Sequence, residues 1–314
     1  MPNKNDAEVS TSAAVLTMKH VVSSTVFLAY VGFQTLLIGA FFFIPIGSWL
    51  AAFWQLAVGW IASGFVLAGA RRFGGNRKSV WYLFATGLFL NTTGILIDTL
   101  QEKLFGAPRA PNLSDLFFLG LYPCLIIGMA VLVYRRGRDD ESGGLGASTA
   151  VSAIITVGMG LVAWELVIAP QDVASGVTAL RIAVITAYPM ADLVLIALVL
   201  RLVFAGGLGN PAFGLILASI FCFLGADIGW VVPFRTGEPL GDSARHLLAA
   251  TSLSAFALMG AAVCHPAFRQ MAQPPGVPKR PTPALMGSLA ISLLIAPAVL
   301  AVEAVLDKLY SAGP

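Results

Sequence analysis

Charge is scarce in this chain. Only 11% of its 314 residues are Asp, Glu, Lys or Arg, against about 25% in a soluble domain. Cysteine and histidine are scarcer, at three each. Cys124, Cys222 and Cys264 fall inside apolar runs without metal-ligand spacing. They read as small apolar fillers, and no disulfide framework is implied. His20, His246 and His265 sit at the ends of apolar runs, and no pair has the spacing of a haem or metal site. A Gly-rich phosphate loop, a nucleophile elbow and a His-x-x-x-His motif are all missing, and the sequon at Asn91 lies within an apolar run. The expectation is a non-enzyme with no cofactor and no metal. A formal charge of +3, gathered at the ends of apolar runs, suits anionic lipid and not nucleic acid.

What the chain has in excess is apolar length: 57% of its residues are hydrophobic. A spanning helix needs about 20 mostly apolar residues. Nine runs qualify: 21–43, 48–70, 79–100, 114–134, 145–169, 178–204, 211–233, 246–264 and 284–306. The predicted fold is all-α, a polytopic transmembrane bundle of about nine spans. Residues 1–20 form a polar N-terminus and 307–314 a short tail. No small-residue cleavage site follows the first run, so 21–43 reads as a retained helix. Placing the N-terminus in the cytoplasm puts 13 of the 19 Lys and Arg residues on the inner side, as the positive-inside rule requires. The expected location is the bacterial cytoplasmic membrane, with a multi-pass chain.

Two spans share an unusual pattern. Tyr122-Pro123 in the fourth recurs as Tyr188-Pro189 in the sixth, and Arg135 and Arg201 follow their tyrosines at the same spacing. Proline removes one helical hydrogen bond, so Pro123 and Pro189 are expected to kink their helices. Asp115 and Arg181 precede their tyrosines, again at one shared spacing. At matched depth and with opposite sign, they form a candidate ion pair if the two helices are neighbours. Acids within spans face a bundle interior or a wet cavity. Glu165, Asp192 and Asp227, with Tyr122, Tyr188 and Arg181, are therefore the candidate lining of a polar cleft open to the outside. Asp98 and Asp115 read more simply as helix-end residues at the interface. Around Asp227, the segment GADIG sets Gly225 and Gly229 four apart, a spacing that permits close helix approach.

Several stretches together carry a resemblance: PNLSDLFFLGLYPCLIIGMAVLVYRR (111–136), GLVAWELVIAP (160–170), AYPMADLVLIALVLRL (187–202), LGADIGW (224–230) and AAVCHPAFRQ (261–270). In this order they resemble the polytopic N-terminal membrane region of bacterial diguanylate cyclases and phosphodiesterases, the proteins with GGDEF and EAL domains. The third span departs from that pattern, reading NTTGILID where a Trp and an Asp would stand closer together, and neither catalytic domain is present in the chain. The resemblance implies a sensory or anchoring module that relays a membrane or external signal to cyclic-di-GMP signalling domains. Tyr122, Pro123, Tyr188, Pro189 and Asp192 would build its inner cleft, and His265-Pro266 would close the eighth helix at the cytoplasmic face. The partners implied are the lipid bilayer, a small ligand of unnamed chemistry, a second copy of the chain, and a cytoplasmic signalling domain.

Two other readings stand beside this one. Kinked helices with midplane carboxylates also suit a small-solute transporter, and a pure membrane anchor needs no ligand. Nine spans from an inner N-terminus leave residue 314 outside, so a cytoplasmic effector fused downstream would require a tenth span. The chain is thus expected to be the membrane part of a longer protein.

Overall fold

A computed structural model describes residues 24–73, 78–106, 111–138, 179–204, 210–236 and 240–268. Every regular element among them is helical. They are α1 (Ser24–Phe41), α2 (Trp49–Phe73), α3 (Lys78–Phe105), α4 (Leu113–Leu119), α5 (Leu121–Arg138), α6 (Ala179–Phe204), α7 (Pro211–Thr236) and α8 (Asp242–Cys264), followed by a 3₁₀ turn at 266–268. Six stretches are long and apolar enough to cross a bilayer: Ser24–Phe41, Trp49–Arg72, Lys78–Phe105, Leu113–Tyr134, Pro211–Trp230 and Asp242–Cys264. Their length and composition mark an all-helical membrane protein. α6 is equally long at 26 residues, about 39 Å at 1.5 Å per residue, and holds Arg181, Asp192 and Arg201. The spans expected near 145–169 and 284–306 lie outside the described residues.

Packing joins α2 to α3, α3 to α5, α5 to α6, α6 to α7, α7 to α8, and α8 back to α2. These helices thus close a ring, with short α4 wedged against α3, α5 and α6. The seam between α6 and α7 is the sparsest in the ring, and that between α7 and α8 the most extensive.

Lipid tails are as apolar as Leu, so membrane helices associate through close packing and interhelical hydrogen bonds. Glycine supplies the first. Gly59 of α2 abuts Thr92 of α3, Gly69 of α2 abuts Val263 of α8, Gly128 of α5 abuts the Phe84 ring of α3, and Gly260 of α8 abuts Tyr30 of α1. In GADIG, Gly229 admits Leu248 of α8, whereas Gly225 meets open space. Hydrogen bonds supply the second. Trp54 Nε1 donates to Leu37 O at 2.8 Å, Gln34 Nε2 to Val58 O at 3.3 Å, and Ser219 Oγ to Ala255 O at 2.7 Å. Phe84, Phe213, Phe256, Leu125 and Met259 fill the interior. Leu28, Leu36, Phe43 and Leu116 stand exposed on the outer surface, where acyl chains would cover them.

The fourth apolar run is not one kinked helix. Asn112 caps α4, its Oδ1 accepting from Ser114 N (2.8 Å) and Asp115 N (3.3 Å), while its own N–H donates to Asp115 Oδ2 (2.8 Å). This capping box starts α4, and Gly120 separates it from α5. Pro123 then falls in the first turn of α5, where a missing N–H has no intrahelical partner to lose. The interruption at Gly120 lies three residues before Pro123. α6, by contrast, runs through Pro189 as one helix. At the other end of the bundle, His265 adopts an extended backbone and ends α8. The following Pro266 imposes that conformation, because its ring disfavours the α region for the residue before it.

Candidate functional site

Polar groups gather toward one half of the bundle. They come from the C-terminal part of α3, the start of α4 and α5, the N-terminal half of α6, and the C-terminal half of α7. The contacts among them put these groups at comparable height. From α3 come Asp98 and Gln101. Ser114 Oγ lies between Asp98 Oδ1 (2.9 Å) and Asn112 Oδ1 (2.5 Å), and Gln101 Oε1 accepts from Ser114 N at 3.2 Å. Ser114 is buried, so this network stitches α4 onto α3.

Asp115 links that network inward. Its Oδ2 holds the Asn112 N–H, and its Oδ1 accepts from the Tyr188 hydroxyl of α6 at 2.9 Å. The Tyr188 ring meets that of Tyr122 edge-on, with centroids 6.1 Å apart and an interplanar angle of 78°. Tyr122, buried at the start of α5, donates its hydroxyl to Asp227 Oδ2 of α7 in a short hydrogen bond between residues far apart in sequence. Asp192 lies one turn beyond Tyr188 on the same face of α6, and its carboxyl acts on the same Tyr122 hydroxyl. Asp227 in turn is the charged neighbour that acts on Asp192. Asp192 is only 2% exposed, and its Oδ2 has no hydrogen-bond partner among the described residues.

Asp192 stands almost midway along α6, about 20 Å from one end and about 18 Å from the other along the axis. That is mid-depth for a hydrocarbon layer of about 30 Å. A carboxylate there is unfavourable by about 2.5–3.5 kcal/mol on insertion scales, and two facing each other repel. The sparse α6–α7 seam is where the pair sits.

Of the residues singled out from sequence, the structure brings Tyr122, Tyr188, Asp192 and Asp227 together, with Asp115 attached through Tyr188. Glu165 lies outside the described residues. Arg181 sits on α6 two turns before Tyr188, toward the Asp115 end of the cluster. Asp98, read from sequence as a simple boundary residue, is wired through Ser114 to the cap of α4. Sequence reasoning passed over Gln34, which is buried, donates to Tyr30 Oη at 3.1 Å and has no partner for its Oε1 among the described residues. A lone amide in the first span was the available signal. Among the described residues, no group of three or more His, Cys, Asp or Glu is placed to hold a metal.

No family model, curated protein or solved structure matches this chain.

Proposed function

We propose that this protein is a membrane sensory module whose input is received at the Tyr122–Asp192–Asp227 cluster, and whose output is delivered to cyclic-di-GMP signalling domains carried elsewhere. The observation that carries the reading is the Tyr122–Asp227 hydrogen bond, which ties α5 to α7 beside the ring's sparsest seam, next to an Asp192 oxygen without a partner among the described residues. A sparsely packed seam that holds two carboxyl groups has two accessible packings separated by little free energy. A ligand that binds one packing better shifts the population toward it. The output class rests on the resemblance of residues 111–136, 187–202 and 224–230 to the membrane regions of such enzymes. With the N-terminus inside, the cluster lies in the outer half of a nine-span bundle, and the helix ends at Arg201 and His265 face the cytoplasm.

The second reading, a small-solute transporter, is favoured by the mid-depth carboxyl of Asp192 with its unpartnered oxygen. Two experiments separate them. In the native host, a chromosomal Tyr122→Phe change should alter cellular cyclic-di-GMP at least about twofold, the response expected when a two-state equilibrium shifts by roughly 0.4 kcal/mol or more. Unchanged cyclic-di-GMP, together with solute counterflow in proteoliposomes, would replace the sensor by the transporter.

A further inference from the structure

We infer that Asp192 and Asp227 together hold one small monovalent cation, a proton or a sodium ion, at the α6–α7 seam. This inference rests on the sensory reading and deepens it by naming what its input site takes.

The reasoning starts from charge balance. Two carboxyl groups at mid-depth act on one another and on a single tyrosine hydroxyl. That hydroxyl has one proton to give and gives it to Asp227. Asp192 Oδ2 is without a donor among the described residues at 2% exposure, a condition that buried carboxylates do not sustain without a compensating positive charge. Among the described residues, the basic groups on α6 stand too far along the helix to provide it. On α6, Arg181 and Arg201 flank Asp192 at about 16 and about 13 Å along the axis. The other titratable groups facing the pair are Tyr122 from α5, Tyr188 from α6 itself, Asp115 from α4 and, farther off, Asp98 from α3. None of these adds positive charge. Asp115 is already engaged at both oxygens by Asn112 N–H and the Tyr188 hydroxyl, so the deficit is localised on the Asp192–Asp227 pair.

The size of the cation follows from the donor set. A calcium ion takes six to eight oxygen ligands, and magnesium dehydrates reluctantly and keeps several waters. Two carboxyls and one hydroxyl supply few ligands, and with Asp192 only 2% exposed there is little room for the waters a divalent ion would keep. A proton needs only the two facing oxygens, and a sodium ion can complete its shell with water or backbone carbonyls. Loading neutralises the repulsion and draws α6 toward α7; unloading separates them, with Tyr122 following Asp227.

The test uses the full chain in lipid nanodiscs. It reads the infrared carbonyl stretch of protonated carboxylic acids while NaCl is exchanged for KCl at fixed ionic strength. In sodium-free buffer the wild type should show a protonated-carboxyl band, shifted in heavy water, that is missing from Asp192→Asn. Loss of the band in NaCl but not in KCl assigns sodium in competition with the proton. A band indifferent to sodium assigns the proton alone. Either outcome supports the site. A wild-type protein with no such band, and with no sodium-dependent change in spectrum or thermal unfolding, overturns it. The wild-type exchange needs no variant, so a misfolded Asp192→Asn protein leaves the test intact, and Asp227→Asn serves as the second variant. None of these readouts involves cyclic-di-GMP, so failure of the signalling reading and failure of the cation site are told apart.

Discussion

Tyr122→Phe removes one hydroxyl and nothing else. The ring keeps its edge-on contact with Tyr188 at 6.1 Å and its buried place at the start of α5. What is lost is the donor to Asp227 Oδ2 and the hydroxyl that Asp192 shares. A hydrogen bond to a charged group is worth about 1.5–3 kcal/mol, and with it Asp227 loses the contact that ties it to α5. The expected destabilisation is therefore about 2 kcal/mol. Tyr188→Phe provides the control. It too deletes one hydroxyl–carboxylate bond, but Asp115 retains the Asn112 N–H at 2.8 Å and lies closer to the helix end. The expected loss there is about 1 kcal/mol or less. Asp227→Asn should act in the opposite sense: an amide oxygen still accepts from Tyr122, while the repulsion with Asp192 disappears, leaving stability equal or higher. Equilibrium unfolding of the purified chain in mild detergent measures all three. Tyr122→Phe indistinguishable from wild type, or less harmful than Tyr188→Phe, would refute the assignment of Tyr122 as the tie between α5 and α7.

Three further outcomes are expected. A methyl group at Gly128 meets the Phe84 ring, so Gly128→Ala should lose about 1–3 kcal/mol by overpacking; Gly64→Ala, with open space around it, should gain up to about 1 kcal/mol from helix propensity, both read by thermal unfolding. Burial lowers the pKa of His265 below the usual 6.5, and its Nδ1 accepts from Ala267 N at 3.1 Å. The unfolded chain then binds the proton first, so stability is full above about pH 6.5 and falls as pH drops through the lower folded value; His265→Gln should flatten that acid limb of the Tm profile, and an unchanged limb would exclude His265 as its source. Asp115 and Arg181 should couple in a double-mutant cycle on thermal stability, and a coupling of zero within error would remove that ion pair.

How much of this was legible in the sequence depended on which physical signal each feature leaves. Apolar length is read without knowledge of neighbours, and the runs at 48–70, 79–100, 178–204 and 211–233 coincide with α2, α3, α6 and α7 to within a residue at their starts. α3 continues to Phe105 because Gln101, Glu102 and Lys103 favour helix beyond the apolar run. The division at Gly120 left a fainter trace. Asn112-x-x-Asp115 is a capping pattern, yet the apolar run continues unbroken across Gly120. Depth also was legible: Tyr122, Tyr188, Asp192 and Asp227 fall at similar heights in their spans. Partner choice was not, because spacing along one helix does not fix which face meets which neighbour. Tyr188 reaches Asp115 and Tyr122 reaches Asp227 through the order of helices around the ring, with α6 beside both α5 and α7. Gln34 and Ser219 went unremarked for the same reason, since each acts through a carbonyl of another helix.

The central claim is that the paired acids of the α6–α7 seam, Asp192 and Asp227, and not acids in general, govern what this protein does. In the native host, cellular cyclic-di-GMP should be compared for chromosomal Asp192→Asn, Asp227→Asn and Asp98→Asn, with each protein's monodispersity in detergent checked alongside. Asp192→Asn and Asp227→Asn should change the level at least about twofold while remaining folded, and Asp98→Asn, toward the helix end, should change it less. Equal and negligible effects of all three would contradict the account.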